Sequence, residues 1–408
     1  METPNLTTQP KADWSKLPND LFNIILERLR PIDHIRVSCV CSPWRSMTPK
    51  LHFWLMLPCN YFQNYFANYG TCYDDSRDDP FFLGLVNLAD PDHELHLLRL
   101  AEASGRLVCG YTAGWLVTLR THGDIHLLNP FTKAHLQLPR LTFESFPDIP
   151  KIDGFLRRVF VGKVIVGLSS DGSSSSSSSS FETDGVVMAM CLKPKKLAFF
   201  RLGKDQNWAS FEGYSGPYKD IIFHNGRFYA IRNKCQVFVA SGLDGPSPTL
   251  EAVMRIPCYT MDTKYYLVES SGDLLLVIRH PGWLQRCHNQ TISFSIYKID
   301  VGGRKLVKLK NIGNRCLFLD RNSAFSVSAS DIRGCKGNHI YFIGTCFHGH
   351  TMQSFGTYDR GVFNLEDKTL ETFNFCNVRG LFMYPPIWYP PYIHAGAVGC
   401  DSGCSSTS

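Results

Sequence analysis

The sequence carries little charge for its size, and none of it is concentrated. Charged residues make up 19% of the 408, and the formal net charge is +6. No dense block of lysine and arginine occurs, so nothing demands a nucleic-acid or an anionic-membrane partner. No apolar run reaches the roughly 18 residues that read as a membrane-spanning helix. The opening stretch, Met1 to Pro10, is polar and lacks the apolar segment of a secretory signal. The 15 cysteines are scattered and odd in number, and no CxxC pair occurs among them. That absence removes the usual zinc and dithiol signatures. Without an export signal the thiols are expected to be reduced and to act as small apolar side chains, in a protein of the cytoplasm and/or nucleus.

Motifs that carry chemistry are missing too. The chain has no GxSxG, no phosphate-binding GxxxxGK and no GxGxxG. His93-Glu94-Leu95-His96 is similar to a zinc-protease motif, but its histidines are three apart, where sharing one helix face needs four. His348-Gly349-His350 would place two imidazoles on one strand face. No third ligand is evident, and a surface loop is the expected reading. Carboxylates are spread thinly and yield no acid/base pair for glycoside hydrolysis. The expectation is a chain with no catalytic residue, no metal and no cofactor.

What the chain does have is aromatics, at 13%, together with 32 glycines and 23 prolines. That mixture suits short strands joined by tight turns. An apolar content of 44% over this length supports one large domain plus something small. Residues 1–12 read as a disordered lead, 13–50 as helical, and 51–80 as an aromatic, Asn-rich linker ending in the solvated stretch Asp74 to Pro80. From 81 to 395 short apolar runs alternate with Gly, Asn, Asp and Pro, and 396–408 form a small polar tail expected to be disordered. Ser173 to Ser180 is an uninterrupted serine tract, which has no apolar surface to bury and is expected to be a loop.

Three helices are predicted in the opening segment. The first spans about Asn19 to Leu29, with Leu21, Ile24, Ile25 and Leu29 at helical spacing, Phe22 and Leu26 widening the stripe, and Pro31 just past its end. The second spans roughly Asp33 to Cys41 with Asp33 as N-cap. The third opens with Ser42 as N-cap and Pro43 in the first turn, and carries Trp44 and Met47. Three helices in about 40 residues bury too little to stand comfortably alone. The first helix is apolar over more than one stripe, so its second face needs a cover, from this chain or another protein.

Leu17-Pro18-Asn19-Asp20-Leu21, Ile25-Leu26, Arg28-Leu29, Asp33, Arg36, Val40-Cys41 and Trp44-Arg45 stand in the order and register of an F-box, and the segment resembles that family. Pro43 departs from the more usual polar residue there. The resemblance implies docking to a Skp-type adaptor, which joins a cullin scaffold. On matched positions it implies that Leu17 and Pro18 sit at the partner's surface. Leu21, Ile25, Leu26 and Leu29 would supply the first helix's contact, and Val40 and Trp44 would complete the packing of the box.

The β region repeats one layout: strand, tight turn, strand. The residues closing the first strand of five such units are Leu128, Leu202, Ala240, Ile299 and Leu365, which recur at intervals of 38 to 74 residues. A further Gly-then-strand unit lies upstream of most of them, as at Gly114 to Val117, Gly226 to Ala230, Gly272 to Leu276 and Gly337 to Phe342. Two hairpin-like units per repeat predict a propeller blade of four antiparallel strands. Residues 81–100 and 380–392 are expected to combine into one more blade that closes the ring. The alternative, one sandwich of over 300 residues, would be unusually large.

Gly114-Trp115-Leu116-Val117 with Leu127 to Thr132, Phe223 to Ala230, Leu267 to Leu275 and Ile387-Trp388-Tyr389 together resemble the C-terminal domain of plant F-box proteins, a kelch-like propeller usually described as a domain of unknown function. The whole chain then reads as a small all-α three-helix F-box followed by a large all-β propeller of about five to six blades. The implied function is substrate recognition in a Skp-cullin-F-box ubiquitin ligase, non-catalytic, with a protein client held by the propeller. The alternative is a propeller enzyme or sugar-binding module with a decorative helical cap, which the fold alone does not exclude. Deleting Ser173 to Ser180 is expected to leave the melting temperature nearly unchanged, checked by differential scanning calorimetry of the two chains.

Overall fold

The computed structural model describes residues 13–48, 54–60, 81–87, 95–141, 161–167, 185–345, 358–372 and 387–389, apart from short gaps within them. The lead, the serine tract, the acidic stretch Asp74 to Pro80, His348 to His350 and the tail lie outside the described residues. Three short helices come first: α1 (Asn19–Glu27), α2 (Pro31–Ser38) and α3 (Ser42–Met47). Among the described residues all remaining regular structure is strand, apart from three 3-10 turns.

The strands form six sheets arranged as blades. Blade one holds β1 (Trp54–Asn60), β2 (Phe81–Asn87) and β3 (Leu95–Arg99). Blade two holds β4 (Leu107–Thr112), β5 (Trp115–Leu119), β6 (Ile125–Leu128) and β7 (His135–Gln137). Blade three holds β8 (Val161–Gly167), β9 (Val186–Leu192), β10 (Lys195–Arg201) and β11 (Ala209–Ser210). Blade four holds β12 (Tyr218–His224), β13 (Arg227–Arg232), β14 (Gln236–Ser241) and β15 (Thr249–Arg255). Blade five holds β16 (Lys264–Ser270), β17 (Asp273–Leu284), β18 (Cys287–Asp300) and β19 (Lys305–Leu309). Blade six holds β20 (Arg315–Leu319), β21 (Ala324–Ser328), β22 (His339–Thr345), β23 (Tyr358–Asn364) and β24 (Leu370–Glu371). The last strand, β25 (Ile387–Tyr389), returns to blade one and pairs with β1.

Local chemistry explains the hairpins. Between β12 and β13 the two-residue turn Asn225-Gly226 has φ of 47° and 73°, and between β16 and β17 Ser271-Gly272 has 54° and 84°. Positive φ at both central positions is the turn whose twist matches that of the flanking strands, and Asn and Gly tolerate it best. Four of the six sheets are antiparallel meanders, and blade one is antiparallel with β25 added beside β1. Blade six differs, because the chain enters on its second strand, makes the inner strand β21 next, and then lays β22 parallel to β20.

Apolar side chains fill the spaces between blades. Leu127 and Val117 of blade two pack with Val164, Val187 and Phe200 of blade three. Tyr229 and Val237 of blade four pack with Leu267 and Leu276 of blade five. Polar staples join the inner strands of neighbouring blades. Thr112 Oγ1 accepts from Val166 N at 3.1 Å, and Ser270 and Ser326 share a hydroxyl contact at 2.8 Å. Asp220 accepts from Lys163 Nζ at 2.6 Å and from Leu267 N at 2.7 Å, tying blades three, four and five together.

Closure rests on Trp388, which is fully buried. Its backbone N–H donates to Asp320 Oδ2 at 3.1 Å and its indole N–H to Leu319 O at 2.9 Å, both in blade six. Its ring meets Phe318 edge-on at 5.5 Å. The structure thus joins residues 81–87, 95–99 and 387–389 in one closing blade. It also corrects the reading of 51–80 as linker: Trp54–Asn60 is β1, paired over its whole length with β2. The stretch reads poorly as strand because Pro58 and Asn60 interrupt it, and only its long-range partners on both sides hold it extended.

The helix boundaries also shift. Pro31 lies just past the end of α1 and opens α2, and Asp33 lies in the first turn of α2, paired with Arg36 at 2.6 Å, instead of capping it. Cys41, not Ser42, is the N-cap of α3. The cysteines do not all act as single thiols: Cys235 and Cys258 are joined as a disulfide, while Cys41, Cys191, Cys316 and Cys335 keep their thiols among the described residues.

Both charges of the Lys163–Asp220 pair are buried, and removing one leaves the other without its partner in a medium that solvates it poorly. Lys163→Met is expected to destabilise the chain by about 3–5 kcal/mol, read from the midpoint of urea unfolding. The double variant Lys163→Met with Asp220→Asn is expected to recover part of that loss.

Candidate functional site

The helical unit is small enough that each side chain has an identifiable duty. Asp13 caps a 3-10 turn at Trp14–Lys16, accepting from Ser15 N at 3.1 Å and Ser15 Oγ at 2.6 Å. Those bonds, with Lys16 alongside, hold the Asp13 carboxyl below its ordinary range. The turn is pinned to α3 by the Trp44 indole, which donates to Trp14 O at 2.8 Å. Pro18 is exposed at the N-cap of α1, with its carbonyl accepting from Phe22 N at 3.0 Å.

On α1, Phe22 and Leu26 face inward and are buried. The Phe22 ring lies 5.3 Å from that of Trp44, and the Leu26 carbonyl accepts from His34 Nε2 of α2 at 2.9 Å. These contacts join all three helices. The other side of α1 presents Leu21, Ile24 and Ile25, which are 52%, 47% and 39% exposed. Their i, i+3, i+4 spacing makes them one continuous patch. Trp14 and Val40 are also exposed. Of the ten large hydrophobic side chains that are exposed among the described residues, five lie between residues 14 and 40. Concentration of this kind in a small unit is the mark of an interaction surface.

The eight residues singled out in the sequence therefore divide. Leu21, Ile25, Val40 and Pro18 are exposed; Leu17, Leu29 and Trp44 are half-buried. Leu26 is a correction. It was expected to contact an adaptor, but at 3% exposure it belongs to the helical core. Ile24 and Trp14 are exposed apolar residues that the motif reading did not include among contacts. The helical spacing of Ile24 with Leu21 and Ile25 was the available signal.

The propeller holds a second group of residues that sequence reasoning missed, its buried acidic, basic and hydroxyl staples. Asp359 accepts from Arg279 Nη2, from Thr291 N at 2.8 Å and from Thr291 Oγ1 at 2.6 Å. Asp320 accepts from the backbone N–H groups of Asn322, Ser323 and Trp388 and from the Ser323 hydroxyl. Burial raises the Asp320 carboxyl above its ordinary range, and those hydrogen bonds oppose the rise. Each of these carboxylates is engaged by groups from its own or a neighbouring blade. Their signal in the sequence is a charge inside an otherwise apolar strand, as in Tyr218-Lys219-Asp220-Ile221-Ile222. Among the described residues no group of three or more His, Cys, Asp and Glu side chains is placed to hold a metal ion.

The profile of the F-box domain matches residues 14–56, and that of the KIB1-4 beta-propeller matches residues 85–364. F-box protein SKIP23 of Arabidopsis thaliana is 27% identical over 93% of this chain and 95% of its own length. F-box protein KIB4 of the same plant is 26% identical over 84% of this chain and 85% of its own. Among solved structures, PorZ of Porphyromonas gingivalis overlaps 72% of this chain and 37% of its own at 14% identity with a TM-score of 0.34, too distant to bear on function. Helical unit and propeller together define an F-box protein of the propeller class. The chain belongs to the family of F-box proteins that carry the KIB1-4 β-propeller.

Inner and outer faces of α1 have separable roles, which mutation resolves. Leu26→Ala is expected to cost the helical unit about 2–5 kcal/mol, whereas Ile24→Ser stays within about 0.5 kcal/mol. Hydrogen exchange of the amides between Asn19 and Met47 measures both.

Proposed function

We propose that this chain is the substrate receptor of a Skp-cullin-F-box ubiquitin ligase. The helical unit docks a Skp-type adaptor, which links it to a cullin scaffold, and the propeller holds a protein client. The observation that carries this reading is the two-sided α1. Phe22 and Leu26 satisfy the helical core, and Leu21, Ile24 and Ile25 remain in water until another protein covers them. Leu17, Pro18, Leu29, Val40 and Trp44 flank that patch or brace it. The mechanism is proximity. Holding a client lysine close to the ubiquitin thioester raises its effective concentration, and no residue of this chain enters the covalent chemistry. A propeller suits the task because its blades stay rigid while the loops that join them vary. The site of action is the cytoplasm and/or the nucleus.

Two substitutions on the outer face, Leu21→Asp with Ile25→Asp, are expected to abolish capture of a purified Skp-type adaptor by the full chain. Leu17→Ala with Pro18→Ala is expected to do the same. Circular dichroism should show the β signal intact in both. Adaptor recovery equal to that of the unaltered chain refutes the assignment.

A further inference from the structure

The bonded cysteines join two parts of the seam between blades four and five. Cys235 lies in the connection from β13 to β14, with a positive φ of 56°, and Cys258 lies in the segment 256–263 that leads from β15 to β16. Their Cα atoms are 5.5 Å apart, inside the range that a disulfide bridges without moving the backbone. Their exposure is unequal. Cys235 is buried at 2%, while Cys258 is exposed.

The segment that carries Cys258 is anchored at its ends, where Ile256 and Thr263 are buried, while Cys258, Tyr259 and Thr260 between them are exposed. Ile256 N donates to Cys235 O at 2.9 Å. The Tyr265 hydroxyl donates to Pro257 O at 3.2 Å, accepts from Tyr259 N at 3.1 Å, and lies 3.7 Å from Cys235 Sγ. Beyond these, Tyr259 stands 46% exposed with its ring edge-on to His280 of blade five at 4.8 Å. The disulfide is the covalent tie beneath this aromatic surface.

We propose that Cys235 and Cys258 form a reversible thiol–disulfide switch that sets how firmly residues 256–263 are held against blade five. Hydrogen peroxide is the oxidant. The thiolate of exposed Cys258 attacks one peroxide oxygen, the O–O bond breaks, and hydroxide leaves and is protonated to water, giving a sulfenic acid. The Cys235 thiolate then attacks the Cys258 sulfur, the S–O bond breaks, and a second water departs. Two thiols and one peroxide become one disulfide and two waters. Reduction starts at the exposed sulfur. A glutathione thiolate attacks Cys258 and releases the Cys235 thiolate, and a second glutathione attacks the glutathione sulfur of the mixed disulfide and frees Cys258, leaving glutathione disulfide. The exposed Cys258 sulfur is the point of entry, and the buried Cys235 lies within bonding reach of it. Cys191, for comparison, is buried in apolar surroundings that push its thiol up to about 12, where it stays protonated and inert.

The test uses the full chain, treated with hydrogen peroxide or with reduced glutathione, alkylated with iodoacetamide, and mapped after trypsin. Peroxide is expected to produce a linked pair of peptides, 235–255 with 256–264, that glutathione removes. Native-state cleavage after Arg255 is expected to be on the order of tenfold slower in the oxidised chain, because the tie suppresses the local opening that trypsin needs. Cys258→Ser, at an exposed position, is expected to lose both effects and to be cleaved fast under either treatment. If Cys258 remains alkylatable after peroxide, or cleavage after Arg255 is equally fast in both redox states, the switch is overturned. Adaptor capture on the same samples reads the helical unit alone, so a failure there is distinct from a failure here.

Discussion

The whole ring depends on one short strand from near the far end of the chain. β25 contributes three residues, yet it completes blade one and meets blade six through Trp388. A propeller whose first and last blades are not joined leaves unpaired strand edges and an open apolar seam. Here the seam is filled by a large aromatic side chain whose two N–H groups both find acceptors in blade six, so burial carries no unsatisfied donor. The cost of closure is the entropy of bringing together segments more than 300 residues apart, which grows only slowly with their separation. That is why a three-residue strand with one tryptophan suffices.

The inner strands follow the same logic on a smaller scale. Charged and hydroxyl side chains there bind the backbone or side chains of the next blade, as Asp220 does with Lys163 and Leu267, and Asp320 with Trp388. Buried carboxylates often mark a catalytic site. In this ring those at the seams are engaged in holding blades in register, and the raised Asp320 carboxyl follows from burial rather than from a neighbouring negative charge. The propeller is thereby a frame whose blades are tied to their neighbours.

The helical unit is built on the opposite principle. It has too little apolar surface to bury everything, and it divides α1 into an inner face, Phe22 and Leu26, and an outer face, Leu21, Ile24 and Ile25. The motif pattern identified the segment but not this division, because motif positions combine residues that hold the unit together with residues that stand outward. Leu26 shows the difference: its place in the motif is matched, and its side chain is core.

Much of the architecture was legible in the sequence alone. The apolar spacing of residues 19–29, the Pro-containing first turn at 43, the paired hairpins and the Asn225-Gly226 turn are short-range signals, since each depends on backbone preferences of a few adjacent residues. The joining of residues 81–100 with the stretch around 387–389 was also expected, and in the structure three strands from the first end and β25 from the other make up that blade. Tertiary structure decided the rest. Trp54–Asn60 became strand only because β2 and β25 flank it, blade six acquired a parallel pair from the way the chain enters it, and Cys235 met Cys258 across a blade seam. Those outcomes turn on which distant segments come into contact, and a local pattern holds no information about a partner that only the closed ring brings near.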